Sequence, residues 1–340
     1  MTALTMPSRP GRDTAVRPVP WRRMAWVTWR QHRLTLAAIV VVLGAASLYL
    51  YTVHQQILSG TDYAAGQQMG IVSSLFQLVI GLIGAFSGAP VLARELDSGT
   101  FRFTWTQGFG RTRWTIGTLA PLAVAVTAVA AAFGLVYSWC YGSLIAGKED
   151  GLFASSPLSG GTFDLRGVVV AGWTLLAFAI GVLAGVLIRR VVPAMFATLV
   201  AWSGLALVTW VYLRPVYESP LVTHTPTLAA SDLVLSQSWR LGGRPVSSAA
   251  VSQILQKIGA TIGRPGMLGP APASGSNFAP ATAETTNPVQ YLLHHGITFS
   301  ASYQPAGRFW PFQWIEGGWL LALSALLIGA TIWLVQRRAA

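Results

Sequence analysis

The fold of this chain is decided by residues 167–213, which read GVVVAGWTLLAFAIGVLAGVLIRRVVPAMFATLVAWSGLALVTWVYL. The run is almost entirely apolar, and only Arg189, Arg190 and Pro193 interrupt it near its middle. About 20 helical residues cross the hydrocarbon core of a bilayer, so the run is long enough for two spans. Two adjacent arginines at the centre of a bilayer would be costly, and we therefore place them in a tight turn between spans at residues 167–188 and 191–213.

Four further apolar stretches make the chain a polytopic membrane protein. Hydrophobic residues form 53 % of the sequence and charged residues only 10 %, and the hydropathy comes in long blocks that a water-soluble domain would not need. We predict an all-α polytopic membrane protein with six transmembrane helices, a short cytoplasmic helix in one inner loop and one large extracellular loop. The other four spans are predicted at residues 34–51, 69–92, 116–141 and 317–335.

The excess positive charge lies on one side of these spans. Fifteen basic residues on that side face three acidic ones, whereas eight basic and eight acidic residues balance on the other, so the imbalance accounts for the net charge of +12. Positive residues favour the cytoplasmic side of short loops, which predicts a plasma-membrane protein with both termini in the cytoplasm. Because the basic residues border the spans, we expect membrane lipid and no nucleic acid as their partner.

The predicted spans divide the chain into segments of different character. The N-terminal segment is basic, and its last part mixes tryptophans with arginines, which is typical of a helix lying in the membrane interface. The segments are a tail and interfacial helix at residues 1–33, spans one to five at 34–213 with an inner loop at 93–114, an extracellular loop at 214–313, and the sixth helix with a short tail at 314–340.

The extracellular loop shows only short structural signals. Residues 251–258 carry apolar side chains at i, i+3, i+4 and i+7, which predicts an amphipathic helix. Residues 263–281 are rich in Pro, Gly, Ser and Ala and are interpreted as a linker, while residues 288–295 favour a second short helix.

Residue types needed for catalysis or ion coupling are missing from the middles of the predicted spans. No GxxxxGK[ST] phosphate loop occurs in the sequence, so the chain is not expected to bind ATP by that route. Ion-coupled transport and intramembrane catalysis usually require ionisable groups at membrane depth. Glu316 comes closest, and we expect it in the interface at the outer start of the sixth span. The sequence therefore predicts neither an enzyme nor a metal site.

Two pairs of glycines permit close approach of helices. Gly84 and Gly88 lie in the second span, and Gly181 and Gly185 lie in the fourth, each pair with the GxxxG spacing. Packing within one chain is the favoured interpretation, and a subunit interface is the alternative.

The inner loop carries more charge and more aromatic residues than a turn needs. Residues 93–114 read ARELDSGTFRFTWTQGFGRTRW. Phe101, Trp105 and Phe109 share one helical face, although residues 101–106, FRFTWT, also alternate like a strand. A lone strand would leave its edges unpaired, so we predict a short helix whose aromatic face is either a passive anchor or a docking surface for a soluble partner.

Three stretches of the sequence together point to a known family. They are WVTWRQHR at residues 26–33, the Glu95, Gly99, Thr100 pattern with WTQGFGRTRW at 105–114, and YQPAGRFWPFQWIE at 303–316. With six spans in matching order, the chain resembles the permease subunit of ABC-2-type transporters, in the group found in actinobacteria.

The resemblance implies a membrane subunit that works with a separate ATP-binding cassette ATPase and with a second permease. A homodimer of permeases is favoured over a heterodimer. The chain itself would bind no cofactor, because ATP and Mg²⁺ would be bound by the partner subunit. The inner loop would be the coupling element seated in that ATPase. The implied coupling residues are Glu95, Gly99, Thr100, Phe101, Arg102, Trp105, Arg111 and Arg113, and the family motif at the outer membrane interface comprises Tyr303, Arg308, Trp310, Gln313 and Glu316.

The resemblance further implies an ATP-driven exporter. The alternative is a non-transporting sensor or scaffold whose outer loop binds a ligand and whose basic inner face recruits a partner. The substrate does not follow from the resemblance, since such permeases handle peptides, drugs, lipids and polysaccharides.

Overall fold

A computed structural model describes residues 20–59, 64–98, 111–146, 156–225, 228–229, 231–256, 260–262, 268–270, 292 and 295–338. Within these ranges six helices are long and apolar enough to cross a membrane, which confirms the predicted number. The helices are α1 (Trp21–Leu58), α2 (Ala64–Ser87), α3 (Ala89–Ser98), α4 (Arg111–Ala146), α5 (Gly160–Asp164), α6 (Val169–Ile188), α7 (Val191–Val208), α8 (Ser248–Gln256) and α9 (Phe309–Arg338).

Helix α6 is the centre of the bundle. It packs against α2, α3, α4, α7 and α9, and 78 % of its most apolar stretch is buried, compared with 17 % for α7. We call the end of the bundle where α3 ends and α4 begins the loop end. The opposite end, where α7 leads into an extramembrane sheet and α9 begins, is the sheet end.

Helix α1 is longer than the predicted first span. It runs without a break over 38 residues, so the helix predicted separately at residues 21–33 is the first part of α1. Nothing in this stretch interrupts helical hydrogen bonding. Met24 and Thr28 lie four residues apart, on the same face of α1, and both pack against α4. The hydroxyl of Thr28 donates to the carbonyl oxygens of Met24 at 3.1 Å and of Gly117 at 3.4 Å.

The second predicted span is divided into two helices. Helix α2 ends at Ser87, and α3 begins at Ala89. Pro90 has no amide hydrogen, so the helical hydrogen-bond ladder cannot pass through it unbroken. The chain turns at Gly88, whose amide donates to the carbonyl of Gly84 at 2.8 Å.

The paired arginines form the tight turn predicted between the fourth and fifth spans. Arg189 has a left-handed backbone with φ of 58°, and its amide donates to the carbonyl of Gly185 at 3.0 Å, which closes α6. Arg190 is extended, and α7 starts at the next residue.

The two glycine pairs pack against each other within one chain. A Cβ added at Gly84 would lie 2.5 Å from the backbone of Ala177, and one at Gly181 would lie 2.6 Å from the carbonyl oxygen of Gly84. At Gly185 an added Cβ would lie 2.6 Å from the carbonyl of Ala89, so α3 also touches α6. These distances confirm the interpretation of close packing within the chain.

The extramembrane segment contains strands that the sequence analysis did not predict. Its four-stranded antiparallel sheet has the order β1-β6-β2-β3, with a bulge in β2 between Val234 and Ser236, and β4 pairs with β5 in a second small sheet. The strands are β1 (Leu221–Thr223), β2 (Leu233–Leu241), β3 (Arg244–Val246), β4 (Ala260–Ile262), β5 (Leu268–Pro270) and β6 (Ile297–Gln304). Strand β5 lies inside the stretch interpreted as a linker.

A small hydrophobic core supports this sheet. The ring centroids of Trp239 and Phe299 are 4.6 Å apart, and Val251 of α8 is buried beside them. Helix α8 confirms the amphipathic helix predicted from residue 251 onward, as far as Gln256. Most of the second predicted loop helix, at residues 288–295, lies outside the described residues, as does the predicted inner-loop helix near residues 100–109.

Candidate functional site

Three charged side chains meet in the interior of the sheet end. Asp164 closes α5, Arg214 begins the 3₁₀ turn Arg214–Val216 after the fifth span, and Glu316 lies in α9. Arg214 is 2 % exposed and Glu316 is 0 % exposed. A charge is this deeply buried only when it is paired and hydrogen-bonded, so the cluster is a candidate functional site.

Arg214 connects the two carboxylates. Its Nε donates to Oε2 of Glu316 at 3.1 Å, and its Nη2 donates to Oε1 at 2.8 Å. The same Nη2 forms an ion pair with Asp164. The guanidinium carbon lies 4.3 Å from the ring centroid of Phe163, so an aromatic face covers one side of the cation.

Aromatic donors complete the shell of Glu316. The indole N–H of Trp173 donates to Oε1 at 3.0 Å, and the hydroxyl of Tyr217 donates to Oε2 at 3.2 Å. Trp319 in turn donates its indole N–H to the Tyr217 hydroxyl at 3.0 Å. These four donors hold the side chain of Glu316 in a fixed orientation.

Asp164 has fewer donors than Glu316. It accepts from Arg214 and from the side-chain amide of Gln77 in α2. Burial raises the pKa of Asp164 to about 7, and the neighbouring Arg214 opposes this rise. The cluster holds two carboxylates and one guanidinium, so it carries an excess negative charge whenever Asp164 is ionised.

Gln313 lies one turn before Glu316 and fixes the start of α6. Its Oε1 accepts from the amide of Val169 at 3.1 Å, and its Nε2 donates to the carbonyl of Phe163 at 3.1 Å. Gly167 makes this contact possible, because it has a φ of +59° and an added Cβ would lie 2.5 Å from Gln313 Oε1. The side chain thus replaces a missing helix cap, since the residue before α6 makes no side-chain cap bond.

The other motif residues lie around this cluster without joining it. Arg308 pairs with Glu218 at 2.6 Å and donates to the carbonyl of Ser219 at 2.8 Å, which ties the start of α9 to the chain leaving the fifth span. Tyr303 belongs to β6 and packs at the edge of the core of the sheet. Trp310 is exposed on α9.

Three of the implied coupling residues are described, and they lie at the loop end. Glu95 is in α3, and Arg113 is in α4 with its guanidinium carbon 4.9 Å from the ring centroid of Trp21. Arg111 is the first residue of α4, and its side chain is not described. The remaining implied residues, Gly99, Thr100, Phe101, Arg102 and Trp105, lie outside the described residues.

The sequence analysis did not anticipate how deeply Arg214 and Glu316 are buried. Glu316 was expected at the outer start of the sixth span; α9 begins seven residues earlier, at Phe309, and Glu316 is fully buried. Ionisable residues were expected to be missing from the middles of the spans, and Arg214 and Glu316 lie toward the sheet ends of the fifth and sixth spans. Arg214 and Glu316 each lie beside an apolar run. The hydropathy of one span does not show that a residue of opposite charge on another span will pack against it.

Sequence reasoning missed Asp164, Arg214 and Gln77 as site residues. Asp164 and Arg214 were counted only as balanced charges on one side of the membrane. The sequence contained a signal for both residues, because Asp164 and Arg214 each lie directly beside a predicted span and have aromatic residues nearby in the sequence. Among the described residues no group of three or more His, Cys, Asp and Glu could hold a metal ion.

A six-span helical bundle with charged groups buried at one end defines a multi-pass membrane protein. Residues 24–214 match the family described as ABC-2 membrane transporter related. Because the match covers more than half of the 340 residues, the chain belongs to this family and is an ABC-2-type permease of an ABC transporter.

The family match extends from α1 to Arg214, so it includes Asp164 and Arg214 but not Glu316. No curated protein and no solved structure matches the chain. Permeases of this family are the membrane component of a transporter, are normally not catalytic themselves, and work in general with an ATPase partner.

Proposed function

We propose that the chain is the permease subunit of an ATP-driven exporter and couples ATP hydrolysis by a separate subunit to substrate movement across the plasma membrane. ATP and Mg²⁺ bind to that partner. The observation that carries this proposal is the family match, since it covers both helices that flank residues 99–110. These residues and their flanks, including Glu95 and Arg113, are proposed to dock into the ATPase.

The packing of α6 supports a mechanical link from this docking region to the buried charge cluster. Near the loop end, α6 touches α3 at Gly185, where an added Cβ would lie 2.6 Å from the carbonyl of Ala89. Near the sheet end, Trp173 of the same helix donates to Glu316. A 20-residue helix is about 30 Å long, so one rigid element reaches from one region to the other. Movement of α3 by a partner would therefore be transmitted to the sheet end.

The charge distribution supports a cytoplasmic loop end. Basic side chains there stack on tryptophans, with the guanidinium carbons of Arg30, Arg113 and Arg337 at 5.5, 4.9 and 4.4 Å from indole rings. Arginine and tryptophan together suit the headgroup region of an anionic leaflet. Both termini then lie in the cytoplasm, and the sheet lies outside.

A homodimer of permeases is part of the proposal. Helix α7 is only 17 % buried and exposes a row of large apolar side chains. That face suits either lipid or the same face of a second copy. The row is Val192, Phe196 and Val200.

The decisive experiment is purification of the tagged full-length chain from its native host in mild detergent. We expect a cassette ATPase to co-purify, with two permease copies per complex by native mass spectrometry. Glu95→Gln should reduce ATPase recovery or uncouple ATP turnover from transport. Glu218→Gln, the same change at the sheet end, is the matched control. A chain that is stable and active with no ATPase attached would contradict the proposal.

Orientation has its own test. Cys140 is the sole cysteine and is buried, so a new surface cysteine can be labelled selectively. In intact cells a membrane-impermeant maleimide should label Glu218→Cys, whereas Asp97→Cys should react only after permeabilisation. The reverse pattern would place the sheet in the cytoplasm.

A further inference from the structure

A cavity of about 250 Å³ lies beside the charge cluster at the sheet end. It is bordered by α2, the end of α5, α6, α7 and the π-helical turn Thr209–Leu213 that follows α7. Its polar and aromatic lining consists of Gln77, Asp164, Trp173, Trp202, Ser203 and Trp210. Leu78 and Leu207, which complete one wall, are exposed on the surface of the bundle, so the cavity can be entered from the membrane side.

This cavity presents a negative charge when Asp164 is ionised. Asp164 lines it, whereas Arg214 and Glu316 do not. Glu316 accepts two hydrogen bonds from Arg214 and shares the guanidinium with Asp164, so one cation serves two carboxylates. Arg166, two residues beyond Asp164, does not compensate it, because its guanidinium carbon lies 4.6 Å from the rings of both Tyr141 and Phe309.

Tryptophans form the walls around this carboxylate. The rings of Trp173 and Trp202 meet edge to face with centroids 6.0 Å apart. Trp210 lies against Gly160, where an added Cβ would overlap its indole. A tryptophan face attracts cations more strongly than any other aromatic side chain, and recognition of quaternary ammonium groups by aromatic walls is well known.

One donor in this lining is unused. Trp202 is 7 % exposed, and its indole N–H has no hydrogen-bond partner in the described part of the chain. Leaving a buried donor unpaired costs about 1–3 kcal/mol. A ligand with a hydroxyl or ester oxygen close to its cationic group could satisfy this donor.

A hydrated metal ion fits the cavity poorly. Ca²⁺ and Mg²⁺ require about six or more oxygen ligands, and this lining offers one carboxylate, one amide and one hydroxyl among apolar groups. Aromatic walls with a single carboxylate instead favour a weakly hydrated organic cation.

We propose that this cavity binds an organic ammonium cation of about the size of a trimethylammonium group, with the charge beside Asp164 and the methyl groups against Trp173 and Trp202. Such a group occurs on free solutes and on lipid headgroups. The identification of this cation as cargo rests on the proposed function, whereas the binding site itself does not.

The test uses the full-length chain in nanodiscs of phosphatidylglycerol at pH 8, with radiolabelled choline as the probe and scintillation proximity as the readout. Unlabelled choline should displace the probe at least tenfold better than 3,3-dimethylbutan-1-ol, its uncharged carbon analogue, since the two differ only in charge. Equal competition by the two compounds would overturn the proposal.

Two variants test the location of the site. Asp164→Asn should weaken choline binding at least tenfold, while Asp232→Asn in the extramembrane segment should not. Leu207→Trp should block the cavity without removing a charge, and Leu187→Trp, the same change at an exposed leucine of the loop end, is its control. The proposal would be overturned if Asp164→Asn and Leu207→Trp both bound choline as tightly as the wild type. If one variant does not fold, wild-type binding by the other overturns it.

Nanodiscs of phosphatidylcholine distinguish the two sources of the cation. If a lipid headgroup occupies the cavity, choline binding should be lost in phosphatidylcholine and retained in phosphatidylglycerol. If a free solute occupies it, binding should be equal in both. None of these measurements requires ATP or an ATPase, so loss of the proposed transport function would leave their outcome unchanged.

Discussion

Arg214 and Glu316 are joined by two hydrogen bonds, of 3.1 Å from Nε to Oε2 and 2.8 Å from Nη2 to Oε1, although 102 positions separate them in the sequence. Arg214 follows the fifth span and Glu316 lies in the sixth, so the pair ties two antiparallel helices together at the sheet end. Both side chains have lost their hydration, and each depends on the other for compensation.

Removal of the shared cation should destabilise the bundle strongly. Arg214→Met leaves Asp164 and Glu316 buried without a positive partner, and we expect a loss of about 3–5 kcal/mol in the free energy of unfolding. Glu316→Gln should cost less, because Arg214 keeps Asp164 as a partner. Thermal unfolding of the purified protein in detergent measures both changes.

Arg240→Met is the control for this pair of variants, since Arg240 is exposed on β2. It should change the free energy of unfolding by less than about 0.5 kcal/mol. If Glu316→Gln lowered the free energy of unfolding as much as Arg214→Met, the two carboxylates would not share the guanidinium.

A single methyl group should disturb the contact between α2 and α6. In Gly181→Ala the new Cβ would lie 2.6 Å from the carbonyl oxygen of Gly84 and 2.9 Å from the amide nitrogen of Ala89, so the helices must separate. Overpacking of this kind costs about 1–3 kcal/mol. Gly44→Ala is the matched change, because nothing lies within 4 Å of its added Cβ. Alanine favours helix by about 1 kcal/mol, so Gly44→Ala should be neutral or stabilising, and equal melting temperatures for both variants would contradict the packing.

Loss of the Gln313 amide should weaken the start of α6. Gln313→Leu leaves the buried Val169 amide without its partner, at a cost of about 1–3 kcal/mol, whereas the Phe163 carbonyl keeps the Arg166 amide at 3.3 Å. Gln336→Leu near the other end of α9 changes an exposed side chain and serves as the control. Hydrogen exchange should show faster opening at residues 168–172 in Gln313→Leu alone.

Asp164 should make stability depend on pH. Burial raises its pKa from 3.8 to about 7, so the folded protein binds this proton more tightly than the unfolded chain does. Its contribution to stability is then fully present below pH 3.8 and is lost as the pH rises through about 7. The melting temperature of the wild type minus that of Asp164→Asn should therefore be larger at pH 5.5 than at pH 8. An equal difference at both values would mean that Asp164 stays ionised throughout.

The spans could be predicted because hydropathy is a property of consecutive residues. Residues 167–213 contain two apolar runs and an Arg-Arg turn, and no distant contact is needed to recognise them. The GxxxG spacing likewise predicted close approach. It did not identify Gly181 as the partner of Gly84, since many helix pairs could have used the same surfaces.

The extramembrane sheet was not predictable by the same means. Strand β2 pairs with β6 from Leu233↔Gln304 to Leu241↔Ile297, across a long intervening segment. Apolar and polar residues that alternate over so short a strand do not show which other strand it pairs with. The amphipathic pattern around Val251 was local and did predict α8.

The sequence by itself determined that this chain crosses the membrane six times and that its positive charge lies at one end, because both follow from counting along the chain. Only the tertiary structure decided that Asp164, Arg214 and Glu316 form one buried cluster beside a tryptophan-lined cavity. Electrostatic pairing in a low-dielectric interior depends on distances between helices, and those distances exist only after α5, α7 and α9 have packed.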